Sequence, residues 1–338
     1  MRIALDAMGG DHAPREVIRG AVIGMKFLAE KDELVLYGPK DVLETEMREA
    51  ELTDPRVRIE HCTQVIGMDE TPVEGVRQKR DSSIVRMATD AGKKNVDAII
   101  SAGNTGAFGA AAVLRVGLIK GASRPGIAVI IPTFAGPVAV CDVGANVAPK
   151  AHHLHEYARM CRVYARRILH IEEPRVGIIS IGEEEGKGSP LVKEAYSMLK
   201  SDTTLNFIGN VEGRDIFAGT GNVFVCDGYV GNVILKLTEG LAEGLFKTIH
   251  NELRAEAPEL SKQFEPVVER IWKRHDFAEH GGAPLLGVNS VAIICHGRSD
   301  RRAISNAVRI AVEQVKCNLN GEMEDQLRQI AESQEVSA

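Results

Sequence analysis

The chain of 338 residues lacks several features that would place it in a class directly. Its formal net charge is −6, whereas nucleic-acid-binding proteins carry a basic excess, so we expect no nucleic-acid partner. No apolar run approaches the ~18 residues that a membrane-spanning helix needs. The six cysteines include no C-x-x-C pair and no signal peptide precedes them, which favours a reducing cytoplasm over a disulfide framework.

Several motifs of catalysis and cofactor binding are also missing. No G-x-S-x-G nucleophile elbow occurs, and no G-x-G-x-x-G follows the first predicted strand, so an ordinary dinucleotide site is not expected. The turn Gly182–Ser189 resembles a P-loop, but its spacing is one residue short and Gly188 replaces the hydroxyl that binds magnesium. His152, His153 and His155 lack a carboxylate partner and predict an exposed helix start. We therefore expect no metal, no cofactor and no covalent enzyme intermediate.

What the sequence does contain is an alternation of short apolar runs with amphipathic helical patterns. This alternation predicts one α/β domain over residues 1–317, with a mainly parallel sheet in a three-layer α/β/α sandwich. Residues 318–338 predict a polar, frayed tail. A turn-rich link at 131–137 predicts a hairpin within the sheet. The predicted strands are 3–8, 33–37, 57–60, 98–101, 127–131, 138–142, 176–181, 206–209, 223–227 and 291–296.

A helical stretch without a strand runs over about residues 232–275 and predicts a projecting helical hairpin. Its first arm places five aliphatic side chains on one stripe, from Leu237 to Leu253, and its second arm places another stripe from Phe264 to Trp272. Two covering helices, a dimer interface and a membrane-touching arm are all compatible with these stripes. The acidic tip between the arms disfavours tight binding to anionic lipid.

Polar and glycine-rich turns follow seven of the predicted strands. In open α/β sheets ligands bind beyond the carboxyl ends of the strands, so the seven turns predict one polar crevice at the same end of the sheet. They are 6–12, 101–106, 142–146, 182–189, 210–215, 227–232 and 296–300.

Within these turns, individual residues predict a phosphate site. Gly103–Gly106 leads from a strand into a helix, as an anion-binding turn does, although tight packing alone also explains its glycines. Lys187 precedes a helix capped by Ser189 and suits phosphate as a point charge; a solvated lysine is the alternative. Asn104, Asn146 and Asn232 are either oxyanion donors or turn formers. Asp227 either caps a helix or orients Lys187 and accepts a proton.

Eight motifs in a fixed order resemble those of one family, the bacterial phosphate acyltransferases of membrane lipid synthesis. The resemblance extends from residue 1 to about residue 317. The motifs are MRIALDAMGGDHAP at 1–14, SAGNTGA at 101–107, DVGANV at 142–147, IGEEEGKG at 181–188, NFIGNVEGRD at 206–215, CDGYVGNVILK at 226–236, HGGAPLLGV at 280–288 and CHGRSD at 295–300.

The resemblance implies a specific reaction and assembly. Such enzymes transfer a long-chain acyl group from acyl carrier protein to inorganic phosphate, and the acyl phosphate then supplies glycerol-3-phosphate acylation. The implied fold is similar to the phosphotransacetylases and to isocitrate/isopropylmalate dehydrogenases. The implied protein is a cytoplasmic homodimer at the inner face of the cell membrane, in contact with the membrane glycerol-3-phosphate acyltransferase.

The same resemblance implies which residues act. Lys187 and Asn232 form the implied catalytic pair, to which we add Asp227. Residues expected to bind phosphate or substrate are Gly103, Asn104, Thr105, Gly106, Asn146, Gly188, Gly231 and His296. Basic side chains at 270–275 or at 298–302 are two candidate docking sites for the acidic carrier protein. Rival readings are a phosphotransacetylase for short-chain acyl-CoA, a related decarboxylating dehydrogenase and a non-catalytic acyl-binding protein.

Overall fold

A computed structural model describes residues 1–256, 258–275, 279 and 281–336. All ten predicted strands are present, together with a short strand that the sequence pattern did not indicate, β10. The strands are β1 (Arg2–Asp6), β2 (Glu33–Gly38), β3 (Val57–His61), β4 (Ala98–Ser101), β5 (Gly126–Thr133), β6 (Gly136–Cys141), β7 (Arg175–Ile179), β8 (Asn206–Val211), β9 (Val223–Val225), β10 (Ala283–Leu286) and β11 (Val291–Ile294).

Helices cover both faces of this sheet. Side chains alternate along the strands, so that Ile3 and Leu5 enter one apolar core while Ala4 enters the other. This confirms the predicted three-layer α/β/α class. The helices are α1 (Arg15–Gly24), α2 (Lys40–Glu49), α3 (Pro72–Gln78), α4 (Ser83–Gly92), α5 (Thr105–Ala111), α6 (Ala151–Arg167), α7 (Pro190–Ser201), α8 (Asp215–Ala218), α9 (Gly228–Glu256), α10 (Pro258–His275), α11 (Arg301–Lys316) and α12 (Leu319–Val336).

The sheet consists of two parallel groups that run in opposite directions. Its order is β3-β2-β1-β4-β11-β10-β5-β6-β9-β7-β8. Strands β1 to β4 and β11 are mutually parallel, as are β6 to β9. Between the groups, the pairs β11–β10, β10–β5 and β5–β6 are all antiparallel. Three reversals in succession leave the second group pointing against the first.

The carboxyl ends of the two groups nevertheless meet near the middle of the sheet, at a line that we call the seam. The register pairs Ile294 with Ala283, Leu285 with Ile127, and Ala128 with Cys141. The ends of β11 and β6 therefore lie about one residue apart along the strand direction and about 14 Å apart across it. The prediction that all seven polar turns share one end of the sheet is wrong. The two sets of turns instead approach the seam from opposite directions.

The predicted helical hairpin is present as α9 and α10. It begins at Gly228, four residues before the predicted start. Leu237, Leu241 and Leu245 are 67%, 59% and 54% exposed, so the outer stripe of α9 faces away from the domain. The side chains of residues 272–275, which include three members of one predicted basic patch, lie outside the described part of the chain. Among the described residues no helix combines the length and the apolar character needed to cross a membrane.

The prediction of a frayed tail after residue 317 is wrong for most of that segment. Helix α12 buries Leu319, Met323 and Leu327 in the core, at a spacing of four residues. Glu322 forms an ion pair with Arg167 of α6. A stripe of one apolar residue per turn is enough to dock a helix, even though the segment as a whole is polar.

Candidate active site

A crevice of about 650 Å³ opens at the seam. The first strand group contributes Thr105 and His296, which follow β4 and β11, and the second contributes Asn232, which follows β9. Three of the predicted site residues therefore line one cavity. Its apolar part is lined by Ile127, Val129, Val143, Leu235, Ala283, Ile294 and Phe246.

The polar end of the crevice also holds charged side chains that the sequence analysis did not assign to the site. Lys236 lines it and pairs with Glu239 at 2.8 Å. Arg298 lines it too, and its backbone N–H donates to Nδ1 of His296 at 3.2 Å. The signal for Lys236 was its helical spacing of four residues from Asn232, which places both side chains on one face of α9.

A buried carboxylate supports the turn after β4. Oδ2 of Asp6 accepts a hydrogen bond from Ser101 Oγ at 2.6 Å, and the same Oγ accepts one from the backbone N–H of Gly103 at 3.0 Å. Burial raises the pKa of Asp6, while its hydrogen bonds oppose that shift. Gly103 is thus held by the protein at the start of the predicted anion turn.

The side-chain amide of Asn104 is hydrogen-bonded within the protein, which is the turn-forming alternative of its two predicted roles. Its Nδ2 donates to the carbonyls of Gly67, Met68 and Glu70 at 3.0–3.2 Å, and its Oδ1 caps α5 by accepting from Ala107 N. Both ends of the amide are used. Asn104 ties the turn after β4 to the loop before α3.

The side-chain amide of Asn146 is likewise hydrogen-bonded within the protein, the second of its two predicted roles. Its Nδ2 lies 2.6 Å from Pro125 O and 2.8 Å from Tyr157 Oη, and it is buried. The neighbouring carboxylate of Asp142 accepts hydrogen bonds from the backbone N–H groups of Ile127, of Asn146 and of the two residues that precede Asn146. Burial raises the pKa of Asp142 and these N–H groups oppose the shift. The turn after β6 is therefore built around Asp142.

Asp227 adopts the more ordinary of its two predicted roles. Its Oδ1 accepts from the backbone N–H groups of Tyr229 and Val230 at 3.0 and 2.9 Å, so it caps the start of α9. A Cβ on Gly231 would overlap the carbonyl oxygen of Asp142, and only glycine fits this close approach. Together these contacts fix the first turn of α9 and hence the position of Asn232, the next residue.

Lys187 is exposed on the loop between β7 and α7, outside the residues that line the crevice. Ser189 caps α7 by accepting from Val192 N, and Pro190 begins the helix, as predicted. Gly188 has a φ of +98° and no room for a Cβ beside Val192. Within the described parts of the chain, the Lys187 ammonium has no ion pair. Strand β7 is parallel to its neighbour β9, so the Lys187 loop and the first turn of α9, which carries Asn232, follow adjacent strands.

The histidines of α6 are not the exposed helix start that their sequence predicts. His153 and His155 are buried. Burial lowers the pKa of His153 to about 4, and its Nδ1 accepts from Lys150 N at 2.8 Å. Nε2 of His155 lies 2.7 Å from Oδ2 of Asp202. Both rings therefore serve the fold.

One acidic cluster lies near the Lys187 loop. Glu183, Glu212 and Asp215 place their carboxylate oxygens within 4.8 Å of one another. Arg214 contacts Glu212 at 2.7 Å and Glu183 at 3.7 Å, so one cation offsets part of the negative charge of the cluster.

The chain is similar over nearly its whole length to proteins of known name. A family model described as "Fatty acid synthesis protein" matches residues 1–321. A phosphate acyltransferase of Dictyoglomus turgidum is 42% identical over 335 residues, covering 98% of this chain and 99% of that protein. A phosphate acyltransferase of Heliobacterium modesticaldum is 46% identical over 321 residues, covering 94% and 95%.

Solved structures share the fold at low sequence identity. A phosphotransacetylase from Streptococcus pyogenes superposes with a TM-score of 0.65 at 16% identity, covering 94% of both chains. A branched-chain phosphotransacylase from Enterococcus faecalis gives 0.58 at 13% identity, covering 93% of this chain and 99% of that one. At such identities the likeness concerns the fold alone.

Proposed function

The chain belongs to the fatty acid synthesis protein family, and from its phosphate acyltransferase relatives we propose that it transfers a long-chain acyl group from acyl carrier protein to inorganic phosphate. Acyl transfer to phosphate in lipid synthesis follows from the family itself. The donor and the chain length are the proposal. The observation that carries it is the seam crevice, where a polar end with Asn232, Thr105 and His296 continues into an apolar part.

The reaction needs no nucleophile from the protein. A phosphate oxygen attacks the thioester carbon, and the tetrahedral intermediate expels the carrier thiolate, which takes up a proton, leaving acyl phosphate. We assign charge neutralisation of the phosphate to Lys187 and donation to the developing oxyanion to the side-chain amide of Asn232. Orientation and electrostatic stabilisation then supply the rate.

The contacts of the remaining site residues assign them to three roles. Thr105 and His296 are proposed to contact phosphate or substrate, because they line the crevice. Gly103, Gly106, Gly188 and Gly231 act by allowing close approach of the backbone. Asp227 acts as a positioning residue, because one of its oxygens already caps α9.

The proposed partners follow from the surface. Acyl carrier protein is acidic, and exposed Arg298 at the crevice offers it a cation. In the same basic patch, Arg301 and Arg302 pair with Glu16 and Glu279, both at 3.0 Å. Within this patch, Arg298 is therefore the proposed contact.

We assign the exposed aliphatic stripe of α9 to a second copy of the chain, which makes the protein a homodimer. Exposed aliphatic side chains at this density mark an interaction surface. The proposed location is the cytoplasm, at the inner membrane face beside the glycerol-3-phosphate acyltransferase. The acidic hairpin tip, with Glu252 and Glu256, makes that association weak.

Phosphate-dependent thiol release from palmitoyl acyl carrier protein tests the function, with hydroxylamine trapping of the acyl product. Acetyl-CoA serves as a parallel substrate, because the fold is also that of phosphotransacetylases. We expect release that requires phosphate and yields a trappable long-chain acyl phosphate. Activity with acetyl-CoA alone would assign the protein to the short-chain enzymes, and a folded protein inactive with both would overturn the proposal.

A further inference from the structure

The crevice extends from its polar end along one face of α9. Asn232, Leu235, Glu239, Ala242 and Phe246 line it, at spacings of three or four residues. Phe246 is the last residue of α9 to do so. At a rise of 1.5 Å per residue, it lies about 21 Å along the helix from Asn232.

The wall that faces α9 is largely apolar. Ile127 and Val129 of β5 and Ile294 of β11 line the crevice and keep only a small exposed fraction. The α9 wall also carries three charged side chains: Lys236 and Glu239 pair at 2.8 Å, and Glu243 is exposed. The crevice therefore offers a path along an apolar wall that runs from Asn232 to the ring of Phe246.

We propose, on the basis of the proposed function, that the acyl chain lies along this path with its thioester at Asn232, and that Phe246 limits the chain length. An extended hydrocarbon advances roughly 1.2 Å per bond, so about 21 Å holds about 17 carbons. The half-buried ring of Phe246 stands where the methyl end of such a chain arrives. A longer chain must displace this ring or leave its last carbons in water.

Two substitutions on the same face of α9 test this assignment in opposite directions. Phe246→Ala removes the ring, and Ala242→Phe places a new ring one helical turn nearer to Asn232. Lys247→Ala is the matched control, because Lys247 adjoins Phe246 but is exposed and does not line the crevice. The measurement is kcat/KM for phosphate-dependent thiol release over saturated acyl carrier proteins from decanoyl to eicosanoyl.

We expect Ala242→Phe to shift the optimum by about five carbons toward shorter chains, because the four residues from position 242 to position 246 span about 6 Å of helix. We expect Phe246→Ala to raise kcat/KM at least fourfold for chains longer than the wild-type optimum, since each buried methylene is worth about fourfold. Lys247→Ala should keep the wild-type profile. Thermal unfolding of each variant shows whether it is folded.

The outcomes separate this inference from the function on which it rests. A wild-type protein that releases thiol from no acyl carrier protein contradicts the function itself. An active wild type whose chain-length profile is unchanged in both folded crevice variants contradicts only the placement of the chain. If Ala242→Phe does not fold, the response of Phe246→Ala alone decides.

Discussion

At the scale of single residues, the exposure of Lys187 suits a binding role. Its loop is fixed by the Ser189 cap and by the left-handed backbone of Gly188, while its own ammonium extends into solvent. The Lys187 ammonium therefore stays hydrated as long as no anion is bound. The surrounding fold does not depend on its charge.

We therefore expect Lys187→Ala to lower kcat at least tenfold, which corresponds to a loss of about 1.4 kcal/mol of transition-state stabilisation. The melting temperature should stay unchanged, because the side chain is exposed. Steady-state thiol release at saturating phosphate is the measurement. Lys193→Ala, on the adjacent helix, is the control, and a wild-type rate in Lys187→Ala would remove the residue from the mechanism.

The three asparagines show what sequence reasoning could and could not resolve at this scale. In the sequence each of them follows a strand within a glycine-rich turn, but Asn232 lies in the first turns of α9. Whether the amide is free depends on carbonyl groups that are distant in sequence, such as those of Gly67 and Met68 for Asn104. These partners become known only when the chain is folded. Asn232 differs because the first turn of α9 leaves it exposed at the crevice.

At the scale of elements, α12 is an integral part of the folded domain. Its three buried side chains complete the core that α6 also faces, and Leu327 packs close to Gly121. Arg159 of α6 donates to the carbonyl of Gln326 at 2.6 Å. Both the apolar and the polar contacts of α12 therefore support the body of the fold.

We expect Leu327→Ala to lower the free energy of unfolding by about 2–5 kcal/mol, because a buried leucine is replaced by a cavity. Denaturant titration followed by far-UV circular dichroism measures it. Arg328→Ala, at an exposed neighbouring position, is the control. Equal stability of the two variants would mean that α12 does not contribute to the core.

Elements with a strong periodic signal were predictable, and those with a weak one were not. The hairpin helices repeat aliphatic residues at helical spacing, so their existence followed from the sequence. Strand β10 has four residues and contains Pro284, which is unusual within a sheet and concealed it. The position of Phe246 in the crevice could not be deduced either, because the opposite wall is formed by β5 and β11.

At the scale of the whole molecule, the sequence pattern did not indicate β10. This accounts for the wrong prediction that all the polar turns lie at one end of the sheet. Strand β10 lies between β11 and β5 and is antiparallel to both. It therefore determines the direction of the second strand group relative to the first, and with it the direction in which the turns of that group point. The polar turns follow the carboxyl ends of their strands, and those after β4, β9 and β11 contribute residues to the crevice at the seam. The site is consequently assembled from both halves of the sheet.

The proposed homodimer also belongs to this scale, and the exposed aliphatic stripe of α9 is its proposed interface. We expect the double substitution of Leu241→Asp with Leu245→Asp to give a monomer, because charges would replace the apolar stripe at the interface. Sedimentation equilibrium on the full chain measures the mass. Leu114→Asp introduces a charge at an exposed leucine elsewhere and should leave the dimer intact. A dimer that survives the double substitution would place the interface on another face.

The position of β11 in the sheet also bears on how the chain is made. On the side away from β1, strand β4 pairs with β11, so that Ala98 lies opposite Val291. Helix α1 packs against α11 through Gly24 and Val308. A ribosome therefore delivers β1 to β4 long before their last neighbour exists. Pairings this distant are slow to close and leave strand edges open meanwhile. We expect the nascent amino-terminal half to remain incompletely folded, and open to chaperones, until almost the entire chain has emerged.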